Sequence, residues 1–216
     1  MPGVRASPAL SSAVTLLRSR GAARTRRQSY TPGVNFADRL VVAVSDLDWA
    51  RDSDRGAERK SLDELTSLVR LAPGEELPFD DSRGEECLVL EGSVSHQDDE
   101  LETGTYLRFP PGVAGPLHSE SGCTLFHKRQ PFAPGDVERV VKRTHRATWF
   151  PGQGGLEVMP LHEHEGRSTA LVKWPAGEKF VPHQHWGGEE ILVLSGTFMD
   201  EHGTYPTGCW VRRARI

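Results

Sequence analysis

The chain has 216 residues, of which 37% are hydrophobic and 7% aromatic, and its formal net charge is −4. The first 37 residues contain six arginines and no acid, so the remainder has 20 basic against 30 acidic residues. This acidic body argues against nucleic acid as a partner, and no apolar run is long enough to cross a membrane.

The N-terminal arm, residues 1–33, is predicted to lie outside the fold. It is rich in Arg, Ser and Ala and weakly amphipathic around Val14, Leu16 and Leu17. This composition is typical of an organellar transit peptide, mitochondrial above all, and a disordered basic tail is the alternative. We expect an intracellular protein, mitochondrial if the arm is a transit peptide and cytoplasmic otherwise.

Two copies of one unit follow the arm. Residues 68–75 and 84–92 (LVRLAPGE, GEECLVLEG) return as residues 171–178 and 188–196 (LVKWPAGE, GEEILVLSG). The offset is 103 and then 104 residues, which indicates a duplicated domain rather than a solenoid repeat. The predicted organisation is a first domain, a Pro/Gly-bearing linker and a second domain: 34–132, 133–146 and 147–216.

Each copy contains short strand patterns separated by Gly, Pro and Asp turns, and neither shows helical periodicity. Many short strands with a turn signal every eight to twelve residues favour an all-β sandwich or barrel. The three cysteines, Cys87, Cys123 and Cys209, form no CxxC pair and are predicted to be buried, reduced thiols.

The strongest chemical signal is the segment 182–190 (PHQHWGGEE). Residues i and i+2 of a strand share a face, so His183 and His185 project together, and the Gly pair can bring Glu189 or Glu190 toward them. Two imidazoles and one carboxylate form the facial triad of non-haem iron and also suit zinc. We therefore expect a divalent metal, Zn or Fe.

This motif, followed by Asp200-Glu201-x-Gly203-x-Tyr205, resembles the cupin superfamily and most of all the ChrR-type cupins. The resemblance implies two tandem jelly-roll (double-stranded β-helix) barrels over residues 34–216. It also implies metal ligation by His183, His185 and Glu189, with Glu190 a weaker candidate, and by one later histidine. The helical zinc domain of the ChrR anti-sigma factors has no counterpart here, so sigma-factor binding is not carried over.

The second copy is expected to be incomplete. It reads VRRARI over residues 211–216 where the first copy reads LRFPPG over residues 107–112, and the position of the fourth ligand is not reached. Missing strands would leave barrel edges unpaired, which favours association. Homo-oligomerisation is therefore one expectation, beside a small-molecule ligand.

The first copy is predicted to be a degenerate, structural barrel. Its motif positions are Phe79, Asp81 and Glu85, and the later histidine position falls at Gly115. The alternative is a weak rebuilt site formed by Asp81, Glu85 and His118. A further cluster, His162-Glu163-His164-Glu165, is interpreted as a solvated loop.

Three functions remain open at this point. The first is a metal-binding ChrR-like bicupin of unassigned activity, which is the interpretation that we favour. The second is an Fe(II)-dependent dioxygenase of a small carbonyl or enol compound, since a three-ligand site leaves coordination positions open. The third is a structural or regulatory cupin without turnover.

Overall fold

The computed structural model describes residues 13–20, 39–53, 55–79, 82–113, 115–176 and 188–213. These residues form β-strands, three short 3-10 turns and loops, and no α-helix occurs among them. Within the same ranges, no helix has the length and hydropathy needed to cross a membrane. The all-β prediction is confirmed.

Nineteen strands are formed by the described residues. In chain order they are β1 (Ala13–Arg20), β2 (Leu40–Ala43), β3 (Ala50–Arg51), β4 (Glu58–Ser61), β5 (Thr66–Leu71), β6 (Glu75–Leu77), β7 (Glu85–His96), β8 (Asp99–Glu102), β9 (Thr105–Phe109), β10 (Leu117–Ser119), β11 (Cys123–Arg129), β12 (Val140–Arg143), β13 (Phe150–Pro151), β14 (Glu157–His164), β15 (Arg167–Trp174), β16 (Glu189–Ser195), β17 (Thr197–Asp200), β18 (Gly203–Pro206) and β19 (Cys209–Arg213). The 3-10 turns are Val44–Asp46, Thr144–Arg146 and Gln153–Gly155.

The chain divides into two compact units. We call Val42–Thr148 the first barrel, and Met1–Val41 together with Trp149–Ile216 the second barrel. The main sheet of the first barrel has the antiparallel order β12-β9-β7-β11-β5-β4-β3, and β6, β8 and β10 pair off this path. Strand β12 lies inside the segment that the sequence marks as a linker, so residues 140–143 belong to this sheet rather than to a connection.

Alternate residues of the first barrel's strands face a single core. The buried pairs Val69/Leu71, Cys87/Val89, Leu107/Phe109 and Cys123/Leu125 each lie two residues apart and pack in one cluster. Because side chains alternate across a strand, Glu85 and His127 continue two of these series and therefore face the same interior. The three cysteines of the chain are free and buried, as predicted.

The second barrel repeats the strand order of the first barrel's main sheet. Its sheet runs β13-β14-β15-β1-β16-β19-β2, and β17 and β18 form a separate hairpin. Strands β15 and β16 repeat β5 and β7 at offsets of 103 and 104 residues, which confirms the duplication. Its core includes Met159, Ile191 and Trp210, each no more than 1% exposed.

Strand β1 stands where the first barrel has β11. In the first barrel, β11 lies between β5 and β7, and in the second β1 lies between β15 and β16. For residues 13–20 this corrects our expectation of a disordered arm outside the fold. The expectation failed because the basic composition of the segment matched a leader, whereas its apolar side chains pack into a sheet.

Candidate metal centre

The candidate ligand Glu189 begins β16 and is 4% exposed. Its series continues through the buried Ile191 and Val193, which occupy the places of Cys87 and Val89 in the first barrel. The carboxylate therefore belongs to the inward face of the second barrel. The other predicted ligands, His183 and His185, lie outside the described residues.

Glu190 points away from this interior, because successive residues of a strand face opposite sides. It lies directly across from Arg18 of β1 and from Arg212 of β19. The first barrel repeats this arrangement with Glu86 across from Lys128 and Arg108. The structure thus favours Glu189 over Glu190 as the inward-facing acid of the motif.

Arg213 brings a positive charge to the interior beside Glu189. The two residues are cross-strand partners, and Nε of Arg213 lies 4.0 Å from Oε2 of Glu189. The Arg213 guanidinium also binds the fully buried carboxylate of Asp200. Asp200 additionally accepts backbone hydrogen bonds from His202 (2.7 Å) and Gly203 (2.9 Å), which is the turn role that its sequence context suggests.

The first barrel fills the corresponding space with rings. His96 is 2% exposed, and its ring centroid lies 4.5 Å from that of Phe109 and 6.2 Å from that of Phe79. A Cβ added to Gly115 would lie 3.3 Å from Cε1 of His96, so the glycine leaves room for this imidazole. Phe79 and Gly115 stand at two motif positions, and the ring of His96 lies against both.

Glu85, the motif acid of the first barrel, binds protein cations and donors instead. Its Oε1 accepts a hydrogen bond from Nη1 of Arg55 at 2.6 Å, and its Oε2 lies 2.8 Å from Nε2 of His127. Arg59 donates to Nδ1 of His127 at 3.1 Å, which leaves Nε2–H as the donor to Glu85. Arg59 is itself held by Asp52 at 2.6 Å.

The protonation states follow from this network. Burial raises the pKa of Glu85, but the hydrogen bond from His127 and the Arg55 guanidinium outweigh burial and bring the pKa down to about 2. Burial lowers the pKa of His127, which agrees with the neutral tautomer that the Arg59 contact requires. At neutral pH, Glu85 is a carboxylate compensated by Arg55.

The rebuilt site predicted for the first barrel is not assembled from the described residues. His118 faces outward, with its Nδ1 3.8 Å from Glu76 and its Nε2 3.6 Å from Glu120. Glu85 points inward to Arg55 and His127, and Asp81 lies outside the described residues. Within the described ranges, no group of three His, Cys, Asp or Glu side chains has metal-binding geometry.

The His162–Glu165 segment also differs from its prediction. Residues 162–164 end β14, and His162 is 9% exposed, so they form part of a sheet rather than a solvated loop. The turn is confined to Glu165 and Gly166, both at positive φ. The pattern was misread because its polar residues suggested solvent, while the adjoining Met159 and Leu161 are core residues.

Sequence reasoning missed Arg55, Arg59 and His127. They come from separate parts of the chain and have no common motif. One feature of the sequence could have revealed His127. It follows Cys123 and Leu125 at the same two-residue spacing, so a polar side chain continues a series of inward-facing apolar ones.

The comparison with protein families agrees with this architecture. The ChrR cupin-like domain matches twice, over residues 37–133 and 137–215. The chain belongs to the ChrR cupin-like family. The first match contains the repeated segments 68–75 and 84–92, and the second contains 171–178 and 188–196, so the family assignment applies to each copy.

Three solved structures that match this chain are distant from it in sequence. A candidate dioxygenase from Nostoc punctiforme is 13% identical, with a TM-score of 0.42 over 94% of this chain and 87% of that one. An oxalate decarboxylase variant from Bacillus subtilis is 10% identical, with a TM-score of 0.37 over 85% and 75%. The oxalate decarboxylase of Lactobacillus farciminis is 8% identical, with a TM-score of 0.36 over 87% and 84%. No curated protein matches the chain.

Proposed function

We propose that this ChrR-like bicupin binds one divalent metal, Zn or Fe, in its second barrel through His183, His185 and Glu189. The observation that supports the proposal is the inward, 4% exposed Glu189 at the start of β16. A carboxylate and two imidazoles are a common ligand set for zinc and iron, and the motif places two histidines four and six residues before this inward-facing acid. These donors suit a borderline metal such as zinc or iron.

The first barrel supports the fold without binding metal in this proposal. Its motif acid is already compensated by Arg55 and hydrogen-bonded by His127. Rings of Phe79, His96 and Phe109 pack on the same interior. A metal there would have to displace an arginine and compete with an apolar environment, so we assign it a structural role.

The test compares two His-x-His pairs of the same unit. In the full chain, His183→Gln with His185→Gln is expected to lose bound metal, measured by mass spectrometry of the element content after purification. The matched control is His162→Gln with His164→Gln, which removes the same chemistry from β14 and is expected to retain the metal. Retention of stoichiometric metal in the first variant, or a metal-free wild type, would contradict the proposal.

The two-histidine, one-carboxylate ligand set supports a second proposal, an Fe(II)-dependent dioxygenase of a small carbonyl or enol compound. Iron held by His183, His185 and Glu189 would supply oxygen chemistry, whereas zinc held by the same residues would supply polarisation of a carbonyl or activation of water. Oxygen uptake by the Fe(II)-loaded protein with a panel of β-diketones distinguishes the cases. Uptake that is lost in the His183→Gln, His185→Gln variant supports the enzyme; metal binding without uptake supports a regulatory cupin.

A further inference from the structure

Strand β1 reproduces the register of β11 residue by residue. Leu125 of β11 pairs with Val69 and Val89, and Thr15 of β1 pairs with the two valines at the repeated positions, Val172 and Val193. The register also shifts at the same point in both barrels: between Thr124 and Leu125 where β11 pairs with β7, and between Val14 and Thr15 where β1 pairs with β16. A bulge at equivalent positions indicates a specified register, since a slip of one residue would reverse every side chain.

Two side-chain contacts fix β1 in this register. The buried indole of Trp174 donates from Nε1 to Oγ1 of Thr15 at 3.0 Å, and Thr15 is fully buried. Near the other end of the strand, the hydroxyls of Ser19 and Ser168 lie 2.8 Å apart. A buried indole N–H needs an acceptor, and in this register Thr15 supplies one.

The charges of β1 also match the place that it occupies. Arg18 lies across from Glu190 as Lys128 lies across from Glu86 in the first barrel. Opposite charges on directly facing residues of neighbouring strands stabilise their pairing. The basic character of the segment is therefore complementary to the acidic strand that it meets.

We infer that Ala13–Arg20 is the closing strand of the second barrel and that the metal centre proposed above is assembled only while this strand is in place. Ser19 lies directly across from Glu189, so β1 supports the strand that bears the ligand at the level of the ligand itself. Strand β1 pairs with β15 over eight residues and also pairs with β16. Its release would therefore leave one edge of each of these strands unpaired. Cleavage after Arg20 would therefore separate the metal motif from its support.

The register is tested in the full chain by a cysteine pair. Ser19→Cys with Ser168→Cys places two thiols where hydroxyls lie 2.8 Å apart, and a disulfide is expected on mild oxidation. The control is Ser19→Cys with Thr169→Cys, since Thr169 pairs with Arg18 and faces the other side of the sheet. Linkage is read by peptide mass spectrometry. Absence of the first disulfide, or equal yield of both, would overturn the inference whatever the metal content.

The dependence of the metal centre on β1 rests on the proposed function and is tested separately. A specific protease site is inserted between residues 21 and 38 of the Ser19→Cys, Ser168→Cys protein, and the oxidised chain is cut. With the disulfide intact the metal is expected to stay bound. After reduction and removal of the released segment, metal affinity is expected to fall about tenfold or more. Unchanged affinity overturns the inference, whereas absence of metal from the uncut protein overturns only the proposed function.

Discussion

At the residue scale, the two motif glutamates occupy equivalent positions of the two barrels but have different surroundings. Glu85 and Glu189 occupy equivalent inward sites, 1% and 4% exposed, and each lies near an arginine. In the first barrel the arginine makes a 2.6 Å contact and His127 completes the carboxylate's hydrogen bonds. In the second barrel Nε of Arg213 lies 4.0 Å from Oε2 of Glu189, and the guanidinium binds Asp200. The distance between carboxylate and arginine is thus longer at Glu189 than at Glu85.

The low pKa of Glu85 predicts a specific acid sensitivity. Its folded-state pKa is about 2, below the ordinary value of 4.5, so its contribution to stability is fully present above pH 4.5 and is lost as the pH falls toward 2. Glu85→Gln removes this contribution. Between these pH values, the unfolding free energy of the variant is expected to fall less steeply with decreasing pH than that of the wild type. The difference in slope corresponds to at most one proton taken up on unfolding.

Urea denaturation across that pH range measures the difference. Glu58→Gln is the control, because Glu58 belongs to a partly exposed pair with Arg70 in the same unit, and this variant should keep the wild-type slope. If the unfolding free energy of Glu85→Gln depended on pH as steeply as that of the wild type, the low pKa of Glu85 would be contradicted.

At the element scale, one glycine within a long strand and one in a turn share a positive φ but have different surroundings. Gly92 of β7 has φ +72°, and a Cβ added there would lie 2.2 Å from the carbonyl oxygen of Gly122. Gly74 has φ +81° but has no atom within 4 Å of an added Cβ. The two positions share the left-handed backbone conformation, and only Gly92 is closely approached by the backbone of another segment, just before β11.

This pair separates backbone strain from steric exclusion. Gly74→Ala is expected to lower the unfolding free energy by about 1 kcal/mol through its positive φ alone. Gly92→Ala adds a clash with rigid backbone and is expected to cost about 3 kcal/mol or more. Chemical denaturation measures the unfolding free energy of both variants. Equal decreases would show that the backbone at Gly92 relaxes enough to accommodate a Cβ.

Much of the element pattern could be predicted from the sequence, and the exceptions have physical causes. The duplicated segments around Leu68 and Leu171 specify their strands because their apolar periodicity is undisturbed. Strand β1 was missed because Arg18 and Arg20 interrupt its apolar residues, and its partners lie about 150 positions away, as Ser19 and Ser168 show. In the site, Glu85 and Glu189 were found through a local motif, whereas the contacts of Glu85 with Arg55 and His127 depend on tertiary pairing.

At the scale of the whole molecule, the two barrels are built from the chain in different ways. The first barrel uses one continuous stretch, Val42–Thr148. The second combines the segment before the first barrel with the segment after it, so its closing strand β1 must meet partners synthesised much later. Pairings between distant parts of a chain slow folding because the loop must close before the contacts form.

We therefore expect the first barrel to fold before the second. In pulsed hydrogen exchange during refolding of the full chain, amides of β7 and β11 should become protected before those of β1 and β15. Mass spectrometry of peptic fragments resolves these strands. Protection of β1 at the same time as β11, or earlier, would contradict the predicted order.

The position of β1 also has a consequence for engineering. In the first barrel, 13 residues join Phe109 at the end of β9 to Cys123 at the start of β11. A circular permutant that begins after residue 43 and carries β1 and β2 behind β19 on a linker of similar length would place the strands of the second barrel's main sheet in the same continuous order as those of the first. Such a rearranged chain would present two equivalent barrels in series and convert a long-range closure into a local one.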